Sequence, residues 1–243
     1  MEKGDSPVNR WDIFVKILRS FDLFQLIYAV PQVCSAWQLA FSDPLLCKTL
    51  DLLVLQSNFI RILTEPYVFV DTPSRKKLTR LLKICMNLSH RNIETLIFHY
   101  NLYVDDNQLT YTANRCPRLK RLVMPAWEKL EKPAIRRAFR KWKDLESLTM
   151  LSLEKPAYGL KQLKVLNISH CLITEDLPPP APMKILTELD ESILEKASRL
   201  DKFLTCMSDS CIMCQHTRND EGFMRWYKYE DLWKVDEVKS LAI

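Results

Sequence analysis

A short unit, apolar-x-x-Leu-x-apolar, recurs through the middle of this chain and limits what it can fold into. It reads Ile93-Glu-Thr-Leu96-Ile-Phe98, Leu119-Lys-Arg-Leu122-Val-Met124, Leu145-Glu-Ser-Leu148-Thr-Met150 and Leu163-Lys-Val-Leu166-Asn-Ile168. Leu96, Leu122 and Leu148 follow one another at equal intervals of 26 residues. Repeats of about 20–29 residues hold one strand and one helical segment each. Such a unit cannot bury both apolar faces alone, so its neighbours must stack on it. The interval from Leu148 to Leu166 is only 18 residues. That is short for a full repeat, so either Leu160 belongs to a tightened turn or a helix is missing.

The stretches between the units carry helical spacing. Thr72-Pro73-Ser74 reads as a helix start. Leu78, Leu81, Leu82, Cys85 and Leu88 then mark one face, with Arg75, Lys76, Lys77, Arg80 and Lys83 largely on the other. A second helix is expected around Asn107 to Asn114. A third carries Ile135, Ala138, Phe139 and Trp142 on one stripe. A first strand is expected from Thr49 to Leu55. Within each strand the leucines should point inward and the alternate residues outward from the concave face. The outward residues expected to hold a partner protein are Thr95, Ile97, His99, Arg121, Val123, Ser147, Thr149, Val165 and Asn167, with Ser169 beside them.

Composition excludes several alternatives. Glycine occurs only three times in 243 residues, which argues against glycine-rich phosphate loops. A hydrophobic fraction of 47% is ordinary for a globular chain, so wholesale disorder is not expected. The net charge of +5 is mild and does not identify nucleic acid. The start of the chain lacks an apolar signal core, and no long apolar run predicts a membrane span. The eight cysteines are scattered, as reduced residues of an intracellular protein would be. The expected location is the nucleus, the cytoplasm or both.

Ahead of the repeats, Ile13, Phe14, Ile17, Leu18 and Phe21 have the spacing of an amphipathic helix. Leu26, Ala29, Val30, Val33 and Trp37 suggest a second helix, interrupted at Pro31. With both halves placed, the chain resembles the plant F-box/leucine-rich-repeat family, its box falling across roughly residues 8–50. Ile17 and Leu18 resemble the apolar pair of the first helix. Leu26 resembles the Leu of the family's Asp-Leu. Val33, Cys34 and Trp37 match its Val-Cys-x-x-Trp, and Pro44 and Leu45 sit in the closing segment. The resemblance implies that these eight residues bind the Skp adaptor of an SCF (Skp–cullin–F-box) ubiquitin ligase, and that the repeats hold the protein to be ubiquitinated. The chain departs from the pattern at several points. It lacks the usual Leu-Pro before the first helix, has Gln25 in place of Asp and Cys47 in place of a late Trp, and carries Pro31 inside the second helix. With the 18-residue repeat, this reads as a member with two internal deletions.

The fold expected is α/β. It comprises a helical F-box over 8–50, a short solenoid of strand-plus-helix repeats over 51–175, and an irregular tail over 176–243. The tail holds a proline-rich linker (Leu177 to Pro182), a short helix from about Thr187 and an aromatic, cysteine-containing end. The expected function is a non-catalytic receptor. The alternatives are a repeat scaffold whose degenerate box no longer binds the adaptor, and a nucleic-acid binder acting through basic helices. The basic cluster of Arg136, Arg137, Arg140, Lys141 and Lys143 reads better as the solvated face of the third helix, so no nucleic acid is expected. None of His90, His99, His170 and His216 sits in a known catalytic pattern. Glu188, Asp190 and Glu191 suit the start of a helix, where acids meet its dipole. Cys206, Cys211, Cys214 and His216 fall within eleven residues. Structural zinc sites usually place a second ligand pair beyond a longer loop. The spacing is therefore read as reduced thiols, with no metal and no cofactor expected.

Overall fold

The computed structural model describes residues 48–55, 72–99, 102–124, 130–150, 160–169 and 191–206 continuously. It also describes single or short positions at 13, 16–18, 20–21, 25, 29, 33–35, 127, 174–175, 184–185, 211 and 214–215. A six-stranded parallel sheet organises the chain. Its strands, in spatial order, are β1 (Thr49–Asp51), β2 (Thr95–Ile97), β3 (Arg121–Val123), β4 (Ser147–Thr149), β5 (Val165–Asn167) and β8 (Lys202–Leu204). Parallel neighbours need long crossovers, usually helical. Here α1 (Thr72–Leu88), α2 (Asp106–Arg115) and α3 (Lys132–Lys141) occupy the first three. β6 (Thr174–Glu175) and β7 (Lys184–Ile185) pair antiparallel beside the sheet, and α4 (Glu191–Ala197) precedes β8.

The sequence period sets the sheet register. Leu50, Leu96, Leu122, Leu148 and Leu166 are successive cross-strand partners. All twelve inward positions of the four repeat units are buried, from Ile93 to Ile168, so the apolar pattern describes the core as it is built. Each such side chain contributes about 1.5–3 kcal/mol on leaving water. The helices add their own stripes. In α1, Leu78, Leu81, Leu82 and Cys85 are buried, while Arg75, Lys76, Lys77, Arg80 and Lys83 are exposed.

Polar contacts lock the helices in sequence. Asp105 caps α2 by accepting from the Gln108 backbone N–H at 2.8 Å, and Gln108 Oε1 accepts from Asp105 N–H at 3.0 Å. This reciprocal box satisfies two donors that the helix start leaves free. The same Asp105 pairs with the Arg75 guanidinium at 2.6 Å, and Gln108 Nε2 donates to Thr79 Oγ1 at 2.9 Å. One helix start thus anchors α2 on α1. Asp106 then accepts from Glu131 N–H at 3.0 Å, linking α2 to the entry of α3.

Three features bear on the sequence expectation. The first strand is shorter than Thr49 to Leu55. It ends at Asp51, whose carboxylate accepts from Leu53 N–H at 2.9 Å, and a 3₁₀ turn, Leu53–Leu55, follows. The side-chain bond offers the backbone a turn in place of further pairing. Next, the short interval does not break the sheet. β5 pairs with β4 in the same register, and Leu160 is buried where Leu163 N–H donates to its carbonyl at 3.4 Å. Finally, the sheet does not stop near 175. β8 adds a sixth strand, with Phe203 opposite Leu166. The helix expected from Thr187 is seen as α4, beginning at Glu191. Among the described residues, no helix is long and apolar enough to cross a membrane.

After α1 the chain turns through His90 (φ 47°) and Arg91 (φ 68°), the two described non-glycine residues at positive φ. The left-handed conformation costs an L-residue about 1–2 kcal/mol. Glycine removes that penalty but gains unfolded-chain entropy, at about 0.5–1 kcal/mol. Arg91→Gly is therefore expected to stabilise the fold by about 0.5–1 kcal/mol. The measurement is the urea midpoint followed by circular dichroism, and a lower midpoint would refute the strain.

Candidate functional site

Two surfaces can hold a partner: the amino-terminal helical segment, and the sheet face away from the core. In the first, Ile13, Lys16, Ile17 and Leu18 have helical backbone, closed by Ser20 N–H and Ser20 Oγ donating to the Ile17 carbonyl at 3.0 and 2.6 Å. Ile13 and Ile17 are four residues apart and so share a helix face. Both remain about half exposed, at 47% and 49%. Leu18, one residue on, is completely buried. One residue of helix turns the side chain about 100°, so the expected pair splits between two jobs. Ile17 faces solvent, and Leu18 packs within the chain. The expectation that Leu18 is an adaptor contact is corrected on that ground. Val33 (57% exposed) and Cys34 are exposed. Leu26, Trp37, Pro44 and Leu45 lie outside the described residues.

On the sheet, position one of each strand forms the row Thr95–Arg121–Ser147–Val165, in register and half-buried. Position three forms the row Ile97–Val123–Thr149–Asn167, and this row is buried. Of the two rows expected to face outward, that at position one keeps partial access and that at position three is nearly closed to solvent. Ile97, Val123, Thr149 and Asn167 are therefore corrected as open contact residues. Asn167 is also used internally, accepting from Ser169 N–H at 3.0 Å to turn the chain after β5. His99 is corrected too. It is 3% exposed, and burial pushes its imidazole down to about 4, leaving it neutral at ordinary pH. Ser169 is half-buried.

Arg121 stands in the middle of the accessible row. Burial lowers its pKa, and its Nε–H is buried with no acceptor among the described residues. A partly desolvated guanidinium with an unused donor is suited to a carboxylate, which it can meet in a fork. The row just before the strands adds a feature that sequence reasoning missed. Lys48, Glu94, Lys120, Glu146 and Lys164 alternate in sign, one per strand. Glu94 pairs with Lys120 at 3.1 Å and Lys48 at 3.5 Å, and Glu146 with Lys164 at 3.1 Å. The hydrogen bond from Lys120, helped by the charges of both lysines, holds the Glu94 carboxyl below its usual range. The signal was available: a charge of alternating sign precedes every strand from β1 to β5. Such exposed pairs contribute at most about 1 kcal/mol each, so they set register and surface character rather than stability. The basic residues Arg136, Arg137, Arg140 and Lys141 are exposed on α3.

No family model matches the sequence. Among curated proteins, the chain is 43% identical to an F-box/LRR-repeat protein of Arabidopsis thaliana over 300 residues, covering 97% of each chain. It is 22% identical to a putative F-box protein of the same plant over 337 residues, covering 99% of this chain and 98% of that protein. Since 97% of 243 residues is about 236, the 300-residue match spans roughly 64 positions for which this chain has no residue.

Proposed function

This chain belongs to the plant F-box/LRR-repeat family, and on that premise we propose that it is a non-catalytic substrate receptor of an SCF-type ubiquitin ligase. The amino-terminal segment docks on the Skp adaptor, which joins it to the cullin. The row around Arg121 holds the protein to be modified. The mechanism is proximity: tethering converts ubiquitin transfer to the target into a step at high effective concentration. The single observation that carries this reading is the exposed apolar face of Ile13 and Ile17, with Val33 also exposed. Large aliphatic side chains left half open on one helix face are suited to a groove on another protein. The accessible row, with its unsatisfied Arg121 donor, favours a target that presents an acidic side chain. The proposed site of action is the nucleus or the cytoplasm.

The departures from the box pattern at Gln25, Pro31 and Cys47 favour a second reading, a repeat scaffold whose degenerate box no longer engages the adaptor. Size-exclusion chromatography separates the two. The full chain mixed with purified Skp adaptor at micromolar concentration is expected to co-elute as one complex. Separate elution would remove the ligase reading and leave the scaffold.

A further inference from the structure

Three cysteines of the tail converge after the last strand of the sheet. Cys206 follows β8 by two residues. Cys211 opens a helical turn, its carbonyl accepting from Gln215 N–H at 3.0 Å. Cys214 lies three residues on, so both its side chain and that of Cys211 project from one side of that turn. None of the three forms a disulfide, and their Sγ atoms lie within 4.8 Å of one another. Cys206 and Cys214 are closest, with sulfurs 3.7 Å apart, and the Cys214 thiol donates to the Cys206 carbonyl at 3.1 Å. Cys214 is only 5% exposed.

From this geometry we infer that Cys206, Cys211 and Cys214 form a structural zinc site that clamps the end of the parallel sheet to the turn that follows it. Tetrahedral zinc with Zn–S bonds of about 2.3 Å places two of its sulfurs about 3.8 Å apart. The Cys206–Cys214 separation is that edge, and the remaining pairs need only a small contraction. Thiolate ligands select zinc over hard cations such as magnesium or calcium. The two supply points, a strand exit and a Cys-x-x-Cys turn, are separate pieces of backbone that the metal would hold together. Sulfur ligates zinc as thiolate, so binding releases protons and strengthens as pH rises. The sequence supplies His216 two residues later, outside the described residues. The inference stands on the thiols alone. It is independent of adaptor docking, because none of its residues is assigned to docking.

The test uses the untagged full chain, expressed with supplementary zinc and purified without chelator. Elemental mass spectrometry is expected to find about one zinc per chain, and Cys206→Ser and Cys211→Ser are each expected to lower this at least tenfold. Cobalt titration of the wild-type chain gives a second reading that needs no variant. Thiolate-to-cobalt charge-transfer absorption and tetrahedral ligand-field bands are expected, and zinc should abolish both. Less than about a tenth of a zinc per chain after incubation with excess metal would overturn the inference. So would undiminished zinc in both serine variants, or a cobalt spectrum without thiolate bands. A Cys206–Cys214 disulfide in metal-free protein that resists zinc loading after reduction would also overturn it.

Discussion

Trp142→Ala is expected to destabilise the repeat stack by about 3–5 kcal/mol, the range for deleting a large buried aromatic. Trp142 is completely buried where α3 ends, and its backbone N–H donates to the Ala138 carbonyl at 3.1 Å. Its ring lies 6.3 Å from that of Phe139, which meets Trp127 edge-on at 6.0 Å. Removing it opens a cavity between α3 and the approach to β4, at the middle of the stack. Trp142→Phe is the informative companion. The Trp142 Nε1–H is buried without an acceptor among the described residues, so phenylalanine forfeits no hydrogen bond to them and removes an unsatisfied donor. Its cost should be well under half that of alanine. Urea unfolding followed by circular dichroism measures both, and equal losses would show that aromatic packing is not what this position supplies.

Ile17→Asp is expected to weaken adaptor binding by about 30-fold or more, the loss of a buried hot-spot contact of roughly 2 kcal/mol. The folded chain should be unchanged, because Ile17 is 49% exposed and its neighbour carries the internal packing. Leu18→Asp cannot serve the same purpose. It would place a carboxylate at a position with no solvent access, and loss of binding would only report loss of structure. Calorimetry with the purified adaptor, beside a melting curve, distinguishes these outcomes. Unaltered affinity in Ile17→Asp would move the contact off this helix face. Arg121→Ala provides the opposite control. It should keep adaptor affinity while releasing whatever target the sheet face holds.

The repeat half was legible because its signal is local and redundant. Each unit states which residues face inward, and equal 26-residue intervals bring identical positions side by side across the sheet. The helix stripes in α1 and α3 were readable on the same physical basis, one apolar face against one charged face. The candidate contact residues were less legible. Alternation marked Leu122 as inward, but it could not say that Val123 is buried as well while Arg121 keeps partial access. Both lie on the same side of the strand, and the two-residue period alone does not tell them apart.

The amino-acid sequence alone therefore determined the strand period, the register, the twelve inward positions and the family. The first three follow from short-range periodicity, which any stretch of chain carries in itself, and the family from the likeness of its ordered motifs and its 43% identity to a relative. Tertiary structure alone decided that Ile17 looks outward and Leu18 inward. It also decided that β8 joins β5 with Phe203 opposite Leu166 despite a gap of 37 residues, and that three cysteine sulfurs share one small volume. Each of these depends on contacts between segments whose order along the chain says nothing of their distance in space. Apolarity tells a residue to leave water, but only the packed neighbours determine on which side it does so.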